Sequence, residues 1–150
     1  MRTIHRDIVG GYVFSKDGKL LLGKNRKGGV YEGSFGVPGG GVENGETNEI
    51  ALRREIEEET GIDINNSKIS SLRTAFGVNK KTLQNTGERV LVKITFFDFR
   101  IDIDQKASEI LVKTDSDWHK HHWFDANELN EINLADPTKI ALIEMGIIGR

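Results

Sequence analysis

The stretch Gly39–Ile62, GGGVENGETNEIALRREIEEETGI, carries Glu55, Glu57, Glu58 and Glu59 within five consecutive positions. Acids this dense form either a solvated face, partly neutralised by Arg53 and Arg54, or a ligand set for a hard divalent cation such as Mg²⁺ or Mn²⁺. Helical spacing separates them. At roughly 100° per residue, Glu58 falls about 60° to one side of Glu55 and Glu59 about 40° to the other. Those three share one arc beside Leu52 and Ile56, at the edge of a core-facing stripe, while Glu57 points away. The position is electrostatically awkward. These acids crowd the helix end that carries the negative pole, and Glu55 and Glu59 repel at i,i+4, which costs a few tenths of a kcal/mol. A divalent cation held among them would relieve both problems.

A second feature lies just upstream. Gly39, Gly40, Gly41 and Gly45 precede the helix start. Glycine lets backbone approach a ligand closely, and N–H groups ahead of a helix suit phosphate oxygens. A flexible turn explains the glycines alone. Followed by a metal-grade carboxylate face, they point to a metal-dependent phosphate site.

The elements that must position these residues are legible in outline. A helix is expected from about Thr47 to Thr60, with Gly61 at its C-cap. RDIVGGYVFSKDGKLLLGKN reads as two strands about a turn at Ser15–Gly18, since Asp-Gly is a hairpin signal. The glycine-rich segment that follows reads as loop, with a short strand at Ser34–Val37. KISSLRTAFGV is a further strand, and NKKTLQNTGE a loop or hairpin connection. RVLVKITFFDFRID, the longest β-branched and aromatic run, is expected as a central strand. IDQKASEILVKTDSDWHKH is polar and irregular, and HWF a short strand. DANELNEI and PTKIALIEMGI read as C-terminal helices, with Pro137 in a first turn. Strands interrupted by a few helices give an α+β class.

Composition narrows the function. The 150 residues suit one domain, 1–150, large enough for its own core. A net charge of −2 argues against nucleic-acid polymer as a partner. There are no cysteines, so disulfides, thiolate zinc sites and a Cys nucleophile are excluded, which fits a cytoplasmic protein. No leader-like N-terminus is evident, and no apolar run nears the roughly 20 residues needed to span a membrane.

Gly40, Glu46, Arg54, Glu55, Ile56, Glu58, Glu59, Gly61 and Ile62 match without a gap the Nudix box: Gly, five residues, Glu, seven residues, Arg-Glu-aliphatic-any-Glu-Glu-any-Gly-aliphatic. At roughly 7% usage per residue type, its seven fixed identities arise by chance on the order of once in 10⁸ starting points. LLLGKNRKGGVYEGSFGVPGG resembles the family's lead-in to the box, and HHWFDANEL its closing strand. Most of the chain, from about Asp7 to Met145, can be laid on one Nudix domain. The resemblance implies an α/β/α sandwich around a mixed β-sheet. It also implies a MutT-like hydrolase of nucleoside diphosphates linked to a group X, similar to the small nucleoside-triphosphate and oxidised-nucleotide pyrophosphatases.

Residue roles follow from the same resemblance. Glu55, Glu58 and Glu59 would hold Mg²⁺ or Mn²⁺, with a Gly40 or Gly39 carbonyl as a further ligand. Arg54 would orient the glutamates together with Glu46. Lys24 and Arg26 either bind substrate phosphates or are plain surface charge. Phe35 or Tyr31 would stack on a base, with core packing the alternative for Phe35. The base for proton transfer often precedes a Trp-aromatic pair in the family, and here that position is His122, where many relatives carry Glu. Glu88, Glu109, Asp115 and Asp117 are the other candidates. His119 and His121 crowd the same segment, but no Cys or close His pair completes a closed zinc site. The partner expected is a small nucleotide, and a homodimer is compatible. Two rivals stand beside this reading. One is a nucleotide-sugar hydrolase of GDP-mannose type that attacks the sugar carbon; the other is a non-catalytic nucleotide sensor. Full retention of the box ranks both lower.

The helix-face argument has a direct test. Glu59→Gln should lower metal-dependent turnover by orders of magnitude, and Glu57→Gln should leave it near the native rate. Equal effects in a steady-state assay would remove the basis for separating the two.

Overall fold

The computed structural model describes residues 1–25, 31–113 and 118–149, without the side chains of Trp118 and His119. Among the described residues seven strands form one sheet: β1 (Arg2–Phe14), β2 (Leu20–Asn25), β3 (Phe35–Gly36), β4 (Gly39–Gly41), β5 (Lys68–Thr82), β6 (Arg89–Asp102) and β7 (Trp118–Phe124). Helix α1 (Asn48–Thr60) lies between β4 and β5, and α2 (Asp136–Glu144) follows β7.

Strand β1 organises the sheet. Along its whole length it runs parallel to β6, from Arg2 beside Val90 to Phe14 beside Asp102. β6 pairs antiparallel with β5 on its other side, so the central position expected of RVLVKITFFDFRID is observed. The opposite edge of β1 is shared. Ile8–Gly10 pair antiparallel with Gly41–Gly39 of β4, and Phe14 pairs with Leu20 of β2. β2 in turn pairs antiparallel with β3 and β7. The sheet is therefore mixed.

Side-chain alternation along β1 divides the core into two layers. Val9 and Val13 pack with Leu52 and Ile56 of α1 on one face. Tyr12 and Phe14 pack with Ala141 and Leu142 of α2 on the other. A helix on each side of a mixed sheet is the expected α/β/α sandwich. The Gly10-Gly11 pair serves both layers at once. A Cβ on Gly11 would lie 2.7 Å from Ile56 Cδ1, so the bare backbone lets α1 settle on β1. A Cβ on Gly10 would lie 2.9 Å from Asp98 Oδ1 on the opposite face.

Helix α1 follows its local signals. The Thr47 hydroxyl accepts from the Ile50 N–H at 3.2 Å, and Gly61, at φ 74°, closes the C-terminus with its N–H on the Glu57 carbonyl at 2.8 Å. Ala51, Leu52, Ile56 and Thr60 form its buried stripe.

Several local expectations change. The strand expected at HWF begins at Trp118, so β7 takes in WHKH, expected to be irregular, because that segment pairs with β2. The β1–β2 hairpin closes at Phe14 and Leu20 and goes no further in register, because β4 and the Pro38 carbonyl, which accepts from the Gly11 N–H at 2.9 Å, take over that edge. Gly39–Gly41, read as loop, is strand β4; a Cβ on Gly39 would overlap the Val9 carbonyl oxygen, so only glycine approaches β1 this closely. Asn79–Thr82 extends β5, and the turn begins at Leu83, whose N–H donates to the Glu88 carbonyl at 2.8 Å. DANELNEI yields one 3₁₀ turn, Glu128–Glu131, in place of a helix.

Gly11→Val should clash with Ile56 and Ile101 and destabilise the fold by about 1–3 kcal/mol, the usual range for overpacking. Thermal denaturation should show a midpoint lower by several degrees, and an unchanged midpoint would mean that α1 is not held against β1 at this point.

Candidate active site

Arg54 is the hub of the acidic helix. Its Nε and Nη2 donate to Glu46 Oε2 and Oε1, each at 2.8 Å, a two-pronged pairing. Nη2 also donates to the Gly41 carbonyl at 3.0 Å, and Nη1 to Glu55 Oε1 at 2.9 Å. Glu58 Oε2 lies 3.5 Å from Nη1, at the limit of hydrogen bonding. Glu46 is itself locked, since its Oε1 accepts from the Glu43 N–H at 2.9 Å. The Arg54 hydrogen bonds, supported by that N–H, hold the Glu46 carboxyl down at about 2. In return the Glu46 and Glu55 carboxylates raise the Arg54 guanidinium further above its ordinary range.

The glutamates meet the glycine strand here. The Glu55 side chain, 14% exposed, lies against Gly40, and a Cβ on Gly40 would fall 2.5 Å from its carboxyl carbon. Glu59 Oε2 accepts from the Gly39 N–H at 3.4 Å. Glu58 is 57% exposed, and Glu57 is exposed as well. Among the described residues, no three acid or imidazole groups converge closely enough to hold a metal ion as they stand. Arg54 draws Glu55 and Glu58 to itself, and Glu59 turns to Gly39. The donor set still fits a hard divalent cation. It offers three carboxylates at i, i+3 and i+4 on one helix, beside a strand where glycine alone leaves room for them. Glu58, largely in solvent, can change rotamer at little cost.

A cleft of about 490 Å³ opens on the α2 face of the sheet, within the size range of small-molecule sites. Gly10, Tyr12 and Asp98 on the sheet line it, together with Tyr31, Phe76, Gly39 and Gly40. The cleft thus includes the two glycines whose neighbours are Glu55 and Glu59. Sequence reading passed over this lining. Its residues sit in ordinary strand patterns, and only an acid in the middle of the apolar run TFFDFRI, Asp98, could have signalled it.

The remaining candidates are scattered. Lys24 lies on β2 opposite Phe35 and does not line the cleft. Phe35 packs edge-to-face on Phe124, centroids 5.2 Å apart, which is its core role. Tyr31 does line the cleft. His122, placed by the resemblance at the base position, faces the α2 layer. It packs edge-to-face on Phe124 with centroids 4.6 Å apart, its Nε2 is 4.0 Å from Glu128 Oε2, and it lies outside the cleft. Strand alternation puts His121 on the opposite face, with Trp123. Glu88 pairs with Arg2 at 2.9 Å, and Glu109 accepts from the Lys106 N–H at 2.9 Å, so both are engaged elsewhere. Arg26, Asp115, Asp117 and the His119 side chain fall outside the described residues.

The NUDIX domain family model matches residues 4–144. The chain belongs to the Nudix family. This Nudix protein is 33% identical to an ADP-ribose pyrophosphatase from Methanocaldococcus jannaschii over 129 residues, 86% of this chain and 68% of that one. It is 27% identical to the nucleoside triphosphatase NudI of an Enterobacter species over 138 residues, covering 91% and 94% of the two chains. Among solved structures, the Nudix domain of Shewanella oneidensis NrtR, complexed with ADP ribose, superposes with a TM-score of 0.69 at 18% identity, over 95% of this chain and 86% of that one. That likeness is one of fold. The protein is a MutT-like Nudix hydrolase, and Nudix hydrolases are in general divalent-metal dependent. No helix among its described residues is long and apolar enough to cross a membrane.

The depressed Glu46 carboxyl implies a pH dependence. A group whose pKa falls on folding stabilises the native state above its unfolded value and loses that contribution as pH drops. The contribution of Glu46 should therefore be whole above about 4.5 and fade towards about 2. Urea midpoints for native protein and Glu46→Gln should differ clearly at pH 6 and converge as pH falls through that window. A gap that stays constant with pH would show that the ionised Glu46–Arg54 pair does not stabilise the fold.

Proposed function

We propose that this Nudix hydrolase cleaves the anhydride of a nucleoside diphosphate linked to a group X, of which a nucleoside triphosphate is one form. Water attacks phosphorus, and a nucleotide and a second phosphate compound leave. The observation that carries this reading is the contact of the Glu55 carboxylate with Gly40, a residue that also lines the cleft. A nucleoside lying in the cleft therefore directs its phosphates past Gly39 and Gly40 to the acidic face of α1.

Glu55, Glu58 and Glu59 are the residues that would hold Mg²⁺ or Mn²⁺. When bound, such a cation neutralises the anhydride and lowers the pKa of water. Arg54 is a positioning residue in this scheme: through Glu46 and Gly41 it fixes the helix against β4, and through Glu55 it sets the ligand's orientation. His122 receives no part in proton transfer, since it lies with Phe124 and Glu128 outside the cleft. Support for the substrate class comes from the relatives, one named for ADP-ribose and one for nucleoside triphosphates, both compounds with a nucleoside diphosphate at their centre.

The test combines turnover with binding. Nucleoside triphosphates, ADP-ribose and nucleotide sugars are screened for phosphate-bearing products with Mg²⁺ in ¹⁸O-labelled water, and label should appear in a phosphate product. Label confined to the sugar would replace attack at phosphorus by attack at carbon. The melting temperature should rise with millimolar Mg²⁺ or Mn²⁺, and rise less in Glu59→Gln, because the cation binds only the folded carboxylate face. A melting curve unmoved by either metal would overturn the assigned ligand set.

A further inference from the structure

Asp98 is a carboxyl in an unusual place. On its strand, Phe97, Phe99 and Ile101 point to the α1 layer, and Asp98 points the other way and lines the cleft. Its register partner on β1 is Gly10, and the absence of a side chain there is what leaves room for Oδ1. The side chain is only 15% exposed, and its cationic neighbour Arg73 on β5 stands off at 3.7 Å, beyond hydrogen-bond range. Arg73 is shared: its Nε lies 3.0 Å from Glu144 of α2. The Tyr12 hydroxyl on β1 has Thr138 of α2 as its hydrogen-bonding neighbour. Arg73 is thus divided between two carboxylates: its buried Nε makes no aligned hydrogen bond to Glu144, and its Nη1 meets Asp98 as an ion pair at 3.7 Å without a hydrogen bond, while Asp98 lines the cleft. Around it the lining is largely apolar and aromatic, with Phe96 beside it and Phe76, 81% exposed, on β5. Such walls suit the faces of a flat heterocycle.

We propose that Asp98 is the specificity-determining residue of the cleft, accepting hydrogen bonds from two adjacent N–H groups on the edge of the substrate's base, the arrangement that guanine presents. The inference rests on the reading above that a nucleoside occupies the cleft. An ionised carboxylate has two oxygens and only accepts. Partial burial makes its charge costly unless donors meet it, so an edge with a ring N–H and an adjoining amine is favoured. Hypoxanthine lacks the amine, and adenine turns a ring acceptor towards the oxygens. Burial pushes the Asp98 carboxyl up to about 6, so at pH 8 it is ionised and this argument applies.

The experiment measures binding of GMP, IMP, AMP and XMP by calorimetry at pH 8, in parallel with kcat/KM for the four triphosphates with Mg²⁺. The native protein should bind GMP roughly tenfold or more tightly than IMP or AMP, the usual discrimination of a two-point contact. Asp98→Asn replaces one acceptor by a donor, so it should lose the guanine preference and gain one for XMP, whose edge offers an N–H and a carbonyl. Equal affinities of the native protein for all four would overturn the proposal, and that comparison needs no variant. A variant that weakens all four by the same factor would also overturn it, since that is the mark of a structural role. If the binding pattern holds while no triphosphate is hydrolysed, Asp98 keeps its role and the hydrolytic reading fails alone. If triphosphates are hydrolysed without preference, the reverse follows.

Discussion

The guanidinium of Arg54 donates to Glu46 in the loop before α1, to the Gly41 carbonyl on β4, and to Glu55 on α1 itself. Three segments with separate backbone paths are thereby tied at one charged group. The pairing is two-pronged and both partners are largely shielded, with 23% and 14% of their side chains exposed, so solvent competes for it poorly. The rest of the site depends on this tie. It sets the height of α1 above β4, and with it the contact of Glu55 with Gly40 and of Glu59 with the Gly39 N–H. It also answers part of the electrostatic puzzle of the helix. Acids at its negative end, with no basic residue in the last turn, are met by one cation reaching forward from the middle of the helix. That cation reaches one oxygen of Glu55 at 2.9 Å and Glu58 only at 3.5 Å, so the acidic face keeps room for further positive charge.

Beneath the helix, the same logic of close approach operates without charge. β1 carries two glycines in succession, and each serves a different face of the sheet. Gly11 admits Ile56 and Leu52, which brings α1 down onto the sheet; Gly10 admits the Asp98 carboxyl, which shapes the cleft. A glycine in a strand interior weakens the strand, by roughly 0.5–1 kcal/mol relative to alanine. Here the full parallel pairing of β1 with β6 and the two buried layers offset that loss. The acidic face of α1 and the cleft lie on opposite sides of one strand pair and meet at β4. A short all-glycine strand at that point is thin enough for ligand on one side and carboxylates on the other.

What could be read from the sequence was local. Leu52 and Ile56 set the helical stripe, Thr47 and Gly61 its caps, and the spacing of Glu55, Glu58 and Glu59 their common arc, because a helix converts sequence separation directly into angle. The central strand was legible from its β-branched and aromatic run, and the family from the box that these same residues compose. What the tertiary structure decided was pairing between distant segments. Gly39–Gly41 became a strand only because β1 offered an open edge at Ile8–Gly10. His122 faces Phe124 and Glu128, and its register against Leu22, which a bulge towards Lys24 shifts, is not encoded in the histidines. Asp98, Arg73, Tyr12 and Thr138 come from β6, β5, β1 and α2 and share a cleft that no spacing rule connects. The physical reason is that strand register and sheet order are fixed by burying both faces at once, a condition on the whole chain, whereas helix caps and helix faces are settled within a few turns of backbone.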